Sequence, residues 1–321
     1  MDVYALGTLS SEGVAPFPAV VRNGLALPLA TLLPGSPGDL GAVFADWERF
    51  GPQIDAAMAS APTQGWSPES EFAVHLPFMP GQLLGAGANY RRHVIDIIVA
   101  KGTGGAEHLS PEERRVWGTE FMDRRAATGL PFIWVGLNGA IAGSHDILIL
   151  PKDVSQPDWE LELAVVIGKA ARRVALADAL DHVAGYTIAN DVTARELVDR
   201  PDIPQMGMDW MRCKNAPGFN ILGPYITPTR FVEDPQRLHI KLSLNGQVMQ
   251  DEGTDDMIFG VARLIEFAST HTQLNPGDII MTGSPSGNGI HHGRLLQDGD
   301  VMTGEILGLV GRQVTPCKAE I

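Results

Sequence analysis

Two glutamates separated by one residue are the feature of the sequence best suited to chemistry. They stand at Glu160 and Glu162, directly before the apolar run at 163–167. Because alternate side chains of a strand point to opposite faces, both carboxylates lie on one face, with their Cα atoms about 6.6 Å apart. Two carboxylates at the edge of a core repel each other, so either one takes up a proton or a cation lies between them. A solvated strand face is the alternative that the spacing leaves open.

A third carboxylate, Asp191, follows the apolar strand predicted at 184–189. Thr193 and Glu196 match a T-x-x-E capping box, which predicts a helix start directly after Asp191. Loops at such junctions often carry functional groups. Three carboxylates without a thiolate suit a hard divalent ion, Mg²⁺, Mn²⁺ or Ca²⁺, better than zinc. The spacing does not place Asp191 beside the glutamates, and a plain turn residue is the alternative.

The composition excludes several classes of partner. The 321 residues carry a formal net charge of −14 and contain no Lys/Arg run, so the sequence predicts neither nucleic-acid binding nor membrane binding. Two distant cysteines, Cys213 and Cys317, cannot build a disulfide framework or a zinc cage. The first residues lack the layout of a signal peptide, and no apolar run reaches about 18 residues. We therefore expect a soluble, cytoplasmic protein.

The 36 glycines and 23 prolines indicate a turn-rich chain in which strands predominate. Near the N-terminus the sequence predicts a strand at 3–8, a β-hairpin at 18–29 whose turn contains Asn23-Gly24, and a helix at 38–60. The polar segment at 60–71 is rich in Pro, Gly and Ser and indicates a linker. We therefore predict a small N-terminal subdomain at 1–70 and a catalytic domain at 71–321.

Short strands and two helices are predicted for the rest of the chain. Ser110, Pro111 and Glu113 form a capped helix start, and Gly129 ends that helix. A second helix is predicted at 255–268. The predicted strands lie at 161–168, 184–189, 238–244, 278–282, 299–307 and 308–315. Because strands do not alternate with long helices, the predicted fold class is α+β and β-dominated rather than a doubly wound parallel sheet.

Four stretches of the sequence, in this order, resemble the fumarylacetoacetate hydrolase superfamily. They are GANYRRH at 87–93, DWELE at 158–162, GYTIANDVTAR at 185–195 and GDIIMTGSPSG at 277–287. Lys214 and Gln250 also match, and the resemblance extends over roughly 80–310 of the chain.

The resemblance implies a mixed β-roll as the catalytic domain, a homodimer, and one divalent metal, Mg²⁺ or Mn²⁺, held by Glu160, Glu162 and Asp191. It also implies a 1,3-dicarbonyl or 2-oxo acid substrate. Members of the family hydrolyse acylpyruvates, decarboxylate oxaloacetate, isomerise 2-oxo dienoates or dehydrate sugar acids, and the fold does not choose among these reactions.

Three further residues are predicted to be catalytic. His93 and Asp96 are three residues apart, so on a helix they share a face, and a carboxylate beside an imidazole raises its basicity. Similar family members carry a His and a Glu at this spacing on a mobile lid, here about 91–130, so the resemblance implies that the pair activates water. Asp is one methylene shorter than Glu, and a surface histidine beside a surface acid is the alternative. Lys214 is predicted to stabilise the negative charge that develops on a substrate oxygen during the reaction.

The remaining residues implied by the resemblance bind substrate: Tyr90, Arg195, Gln250, Thr282, Gly283 and Ser284. Arg195 borders the site of the family. Amides and hydroxyls of the turn that begins at Thr282 are suited to a substrate carboxylate, with Ser284 in place of the usual threonine. His291 and His292 receive no role, because loop histidines are usually bystanders.

The predicted lid is longer than is usual in the family and contains Trp117 and Phe121. The segment 132–135 lacks a lysine common in relatives, and the segment 206–211 adds three methionines and a tryptophan. These residues favour a substrate bulkier or more apolar than oxaloacetate, and packing in the core or in a dimer contact is the alternative.

Together these observations predict a metal-dependent hydrolase that cleaves a C–C bond between two carbonyl groups. In this mechanism His93, oriented by Asp96, deprotonates a water that attacks the distal carbonyl, and the metal stabilises the enolate that leaves. A decarboxylase or isomerase that uses the same enolate is the first alternative. A non-catalytic ligand-binding protein is the second.

Overall fold

The computed structural model describes residues 2–102 and 105–321, so two positions of the predicted lid, 103 and 104, lie outside the described residues. Within these ranges the chain forms twenty strands and eight α-helices. The strands are β1 (Ala5–Ser10), β2 (Phe17–Arg22), β3 (Leu25–Pro28), β4 (Ser67–Pro68), β5 (Ala73–Val74), β6 (Leu83–Gly87), β7 (Phe132–Gly136), β8 (Ile141–Gly143), β9 (Leu148–Leu150), β10 (Pro157–Asp158), β11 (Leu161–Ile167), β12 (Val183–Asp191), β13 (Thr193–Ala194), β14 (Asn220–Leu222), β15 (Thr227–Pro228), β16 (His239–Leu244), β17 (Gln247–Gly253), β18 (Ile279–Met281), β19 (Val301–Leu307) and β20 (Gln313–Ala319). The helices are α1 (Leu29–Leu32), α2 (Leu40–Ala45), α3 (Trp47–Ala59), α4 (Arg91–Lys101), α5 (Pro111–Thr128), α6 (Trp210–Lys214), α7 (Val261–His271) and α8 (Gly289–His292).

An antiparallel sheet at the N-terminal end has the strand order β4-β3-β2-β1-β5. Its β2–β3 turn contains Asn23 and Gly24, whose φ angles of 52° and 72° are the left-handed values that this hairpin needs. The segment predicted as a linker contributes strand β4 to this sheet. The last strand of the sheet along the chain is β5, which lies beyond residue 70. The division at 1–70 and 71–321 stays a prediction.

The central sheet carries the candidate site. Its order is β7-β6-β18-β11-β12-β14-β8, with β15 attached to β12, and it is mixed because β6 with β18 and β14 with β8 are parallel pairs. Strand β11 alternates between two cores. Leu161 and Leu163 belong to the larger apolar cluster, whereas Ala164 and Val166 belong to the cluster that includes the N-terminal sheet.

A third sheet, β17-β16-β19-β20-β9, packs on the central sheet. Its buried side chains Ile240, Leu242 and Ile306 join the same cluster as Leu161. Sheets therefore form most of the fold and the helices lie at its periphery, which confirms the α+β, β-dominated fold class.

The helix predictions are confirmed in part. Helix α5 begins with the expected capping box, in which Ser110 and Glu113 exchange hydrogen bonds. The helix predicted at 38–60 is two helices, α2 and α3, because Asp46 between them has non-helical backbone angles of −123° and 45°.

Two other boundaries differ from the predictions. Helix α7 begins at Val261, several residues after the predicted start of the 255–268 helix. The capping box predicted at Thr193 and Glu196 is wrong, because Thr193 pairs with β10 and Glu196 accepts hydrogen bonds from Ser155. Only a short 3₁₀ helix, Arg195–Leu197, follows, and no side chain caps it. In the part of the chain that the structure describes, no helix is both long and apolar enough to span a bilayer.

Candidate active site

Strand register brings three carboxylates together. In the β11–β12 pair Leu161 faces Asn190, so the next residues outward, Glu160 and Asp191, lie opposite each other. The Asp191 amide donates a 2.9 Å hydrogen bond to the Glu160 carbonyl. Glu160 directly precedes β11 and Glu162 is the second residue of that strand. One oxygen from each of the three carboxylates lies within 4.8 Å of the other two.

Two buried cations contact these carboxylates. Lys214, the last residue of α6, places Nζ 2.5 Å from Glu160 Oε2 and 2.5 Å from Asp191 Oδ2. Arg195 donates to Glu160 Oε1 at 2.6 Å and to Asp158 Oδ2 at 2.8 Å. Asp158 is not among the predicted site residues. Its position two residues before Glu160, on the same face, was a usable signal.

The buried charges of this site do not balance. Four acids face two cations, so the site carries a net charge of −2 while all four are ionised. Burial and the charges of Asp191 and Glu160 raise the pKa of Glu162 well above its ordinary value. Burial also raises the pKa of Asp191, to about 7. Burial opposes ionisation of Glu160 as well, but Arg195 and Lys214 hold its pKa below the ordinary value.

A divalent cation fits this donor set. Its charge would cancel the net −2, and it would give a ligand contact to Asp191 Oδ1, which is buried and makes no hydrogen bond to any residue that the structure describes. Carboxylate oxygens without a thiolate are the donors that Mg²⁺ and Mn²⁺ prefer. The residues that would hold the ion are Glu160, Glu162 and Asp191.

His93, on α4, lies beside the carboxylates. Its Nε2 is 4.0 Å from Glu160 Oε1, and its ring centroid is 5.2 Å from that of His291. Its Nδ1 is buried and has no hydrogen-bond partner among the described residues. Burial lowers the pKa of His93 to about 3. The imidazole is therefore neutral at pH 7, and one of its ring nitrogens carries a free lone pair.

The contact expected between Asp96 and His93 is not present in the structure. Asp96 accepts a 2.9 Å hydrogen bond from the Ser286 hydroxyl and lies 3.4 Å from Arg115. The two residues share one side of α4, but the Asp96 carboxylate is held by the loop after β18 and by α5. Ser286 and His291 are not among the predicted site residues. His291 Nδ1 lies 3.3 Å from the Ser286 hydroxyl.

The predicted substrate-binding residues form two groups. Arg195 and Ser284 line the cavity in front of the carboxylates. The other four do not line it: Tyr90, Gln250, Thr282 and Gly283. The Gly283 amide donates to Glu162 at 2.7 Å, and Gln250 donates to the Ser284 hydroxyl at 3.0 Å. Gly283 and Gln250 therefore hold two residues of the site, Glu162 and Ser284, in place.

The cavity has a volume of about 880 Å³. Its inner end is formed by the three carboxylates together with Lys214 and His93. Its outer part is lined by α4, α5, the start of β7 and the segment 208–210. The predicted metal ligands, the imidazole and the lid thus border one space.

Comparison with known proteins gives the same assignment from sequence and from structure. The family model described as fumarylacetoacetate (FAA) hydrolase C-terminal matches residues 83–318. A mitochondrial oxaloacetate tautomerase of Bos taurus is 39% identical over 188 residues, which cover 57% of this chain and 59% of that protein. The chain therefore spans less than two thirds of that relative.

Two solved structures resemble the whole chain. A probable 2-hydroxyhepta-2,4-diene-1,7-dioate isomerase from Mycobacterium abscessus has a TM-score of 0.74 and 26% identity, with 100% of both chains covered. Fumarylacetoacetate hydrolase from Exiguobacterium antarcticum also has a TM-score of 0.74 and 26% identity, with 99% of this chain and 100% of that chain covered.

Proposed function

The chain belongs to the fumarylacetoacetate hydrolase family, and from this premise we propose that it is a divalent-metal-dependent enzyme acting on 2-oxo acids or 1,3-dicarbonyl compounds through an enolate. The observation that carries the proposal is the convergence of Glu160, Glu162 and Asp191 within 4.8 Å at the inner end of a cavity. A bound divalent ion supplies positive charge that stabilises the negative oxygen of an enolate.

The reaction that the geometry supports best is proton transfer at the carbon between the two carbonyl groups, which is a tautomerisation or isomerisation. His93 is neutral and lines the cavity, and its Nδ1 has no hydrogen-bond partner within residues 2–102 and 105–321, so we infer that a ring nitrogen takes a proton from that carbon or returns one to it. Lys214 and Arg195 place positive charge beside the same end of the cavity. The names of the bovine tautomerase and the mycobacterial isomerase support this choice.

Hydrolysis of the C–C bond is the second candidate. Asp96 lies one helical turn from His93 on α4, so a side-chain rotation away from Ser286 would bring its carboxylate toward the imidazole. With Asp96 in that position the imidazole can deprotonate a water. The resemblance to a fumarylacetoacetate hydrolase supports this candidate. Decarboxylation shares the enolate and needs no water.

The experiment follows an acylpyruvate in the presence of Mn²⁺. Ultraviolet absorbance reports conversion of enol to keto form above the uncatalysed rate, and NMR reports cleavage products. We expect enzyme-dependent tautomerisation that His93→Ala lowers by about 10²-fold or more. Formation of pyruvate with its partner acid would assign hydrolysis instead. Saturable binding with neither reaction would assign a ligand-binding protein.

The metal requirement is tested in the same assay. Glu162→Gln removes one charge at nearly constant volume, and we expect it to abolish both activity and Mn²⁺ binding. Glu71→Gln, on the surface of the N-terminal part, serves as the matched control. Full activity of stringently metal-free protein would overturn the proposal.

Oligomeric state and compartment belong to the proposal as well. We propose a homodimer, on the family resemblance, and light scattering of the purified chain tests it. We also propose a cytoplasmic location. Because the bovine relative is named as mitochondrial, this location is tested by imaging a tagged full-length protein.

A further inference from the structure

The outer part of the cavity is far larger than a small 2-oxo acid needs. Binding pockets for drug-sized ligands measure roughly 300–1,000 Å³, and this cavity, at about 880 Å³, lies near the top of that range. A four-carbon dicarboxylate at the carboxylate end would leave most of the space to water. Contact between water and apolar walls is unfavourable in free energy, so an apolar ligand group that displaces this water would bind favourably.

Aromatic side chains from separate elements form the outer wall. Trp117 and Phe121 of α5 lie parallel, with centroids 5.2 Å apart and planes at 8°. From two other elements, Phe132 and Trp210 have ring centroids 5.2 Å apart. All four line the cavity. The sequence signal that favoured a bulky substrate therefore lies at the site and not only in the core.

Part of this apolar wall is uncovered by protein. Phe132 is 44% exposed and Met208 is 55% exposed, and both line the cavity. Exposed apolar side chains grouped in a concave surface mark a ligand-binding groove. Met206 and Met211, which are also exposed, do not line the cavity and have no part in this wall.

The charged residues of the outer part do not favour a second carboxylate. Lys101 and Arg125 are offset by Glu107 and Asp199, so the outer lining carries no net charge. The guanidinium of Arg125 is partly engaged, because it donates a 2.7 Å hydrogen bond to the Ala88 carbonyl and lies 5.7 Å from the centroid of the Phe259 ring. A dicarboxylate would therefore gain little over an apolar group here.

We propose that the substrate carries a large apolar group, of the size of an aromatic ring, on the carbonyl distal to its 2-oxo acid end, and that Trp117, Phe121, Phe132 and Trp210 bind this group. The inference rests on the proposed function, because the carboxylate end of the cavity fixes the orientation of the substrate. Helix α5 is then the element that determines specificity.

The test compares two acylpyruvates that differ only at the distal group, a methyl in acetylpyruvate and a phenyl in benzoylpyruvate. We expect kcat/KM to be at least about tenfold higher for the phenyl compound, whichever reaction is catalysed. Phe132→Ala and Trp117→Leu are each expected to lower the phenyl-to-methyl ratio by about tenfold. Val116→Ala, on the outer side of α5 and 60% exposed, serves as the control and leaves the ratio unchanged.

The outcomes separate the inference from the proposed function. Equal kcat/KM for the two compounds, or a ratio unchanged by both Phe132→Ala and Trp117→Leu, would overturn the inference while leaving the metal-dependent reaction in place. Reaction with oxaloacetate but with neither acylpyruvate would overturn the inference alone, whereas absence of reaction with all three compounds would overturn the proposed function itself. Because Phe132 is partly exposed, its substitution leaves a folded protein, which circular dichroism verifies.

Discussion

Lys214 and Asp191 form a buried ion pair in which the lysine Nζ lies 2.5 Å from Asp191 Oδ2. The same ammonium group also contacts Glu160, so it stands between two of the three carboxylates. It thereby supplies part of the positive charge that a divalent ion would otherwise supply. The stability of the metal-free protein and its affinity for metal are therefore linked through one side chain.

Lys214→Met should destabilise the metal-free protein by about 3–5 kcal/mol, because it leaves buried carboxylates without their counter-charge. Mn²⁺ should recover a large part of this loss, since the ion replaces the missing charge. Urea unfolding with EDTA and with Mn²⁺ measures both values. Lys152→Met, at an exposed position, should change stability by less than about 0.5 kcal/mol. Equal losses with and without Mn²⁺ would contradict the linkage.

Metal affinity should rise with pH. Burial raises the pKa of Asp191 to about 7 and that of Glu162 well above its ordinary value. Protons therefore compete with the metal below neutral pH, and binding releases them. Titration of Mn²⁺ by calorimetry at pH 5.5, 6.5 and 7.5 should give a falling Kd, and buffers of different ionisation enthalpy should report proton release. A Kd that is constant across this range would contradict the raised pKa values.

Asp96→Asn distinguishes the two candidate reactions. If the enzyme transfers a proton through His93 alone, kcat/KM should fall by less than about threefold, since Asp96 contacts Ser286 and Arg115. If it hydrolyses its substrate, the loss should reach about 10²-fold, the usual contribution of general base catalysis. Asp123→Asn, which removes an exposed ion pair with Arg91 on the same lid, is the control.

Gly287→Ala should be far more disruptive than Gly246→Ala. Both glycines have left-handed backbone, with φ of 104° and 83°. A Cβ on Gly246 would meet nothing within 4 Å, so the cost is the conformational strain of about 1 kcal/mol. A Cβ on Gly287 would lie 2.2 Å from the Met249 carbonyl oxygen, which adds a backbone clash and brings the loss to at least about 3 kcal/mol. Thermal unfolding measures both, and equal losses would contradict the clash.

Periodicity and turn chemistry predicted the elements well where the signal was local. The capping box at Ser110 and the Asn23-Gly24 hairpin are formed by neighbouring residues, and the structure has both. The prediction of a single helix at 38–60 is wrong, because the helical backbone breaks at Asp46. The hydrophobic spacing continues across this break, so periodicity alone does not reveal it. The capping box predicted at Thr193 is also wrong, since pairing with β10 outweighs a local preference.

The sequence by itself determined which residue types could hold a hard cation, and it placed Glu160 and Glu162 on one strand face, because side-chain alternation is a property of a single strand. Only the tertiary structure decided that Asp191 stands opposite Glu160, since the register between β11 and β12 depends on packing along both strands. The tertiary structure also decided that Asp96 contacts Ser286 instead of His93, because residues 190 positions apart in the chain meet only after folding.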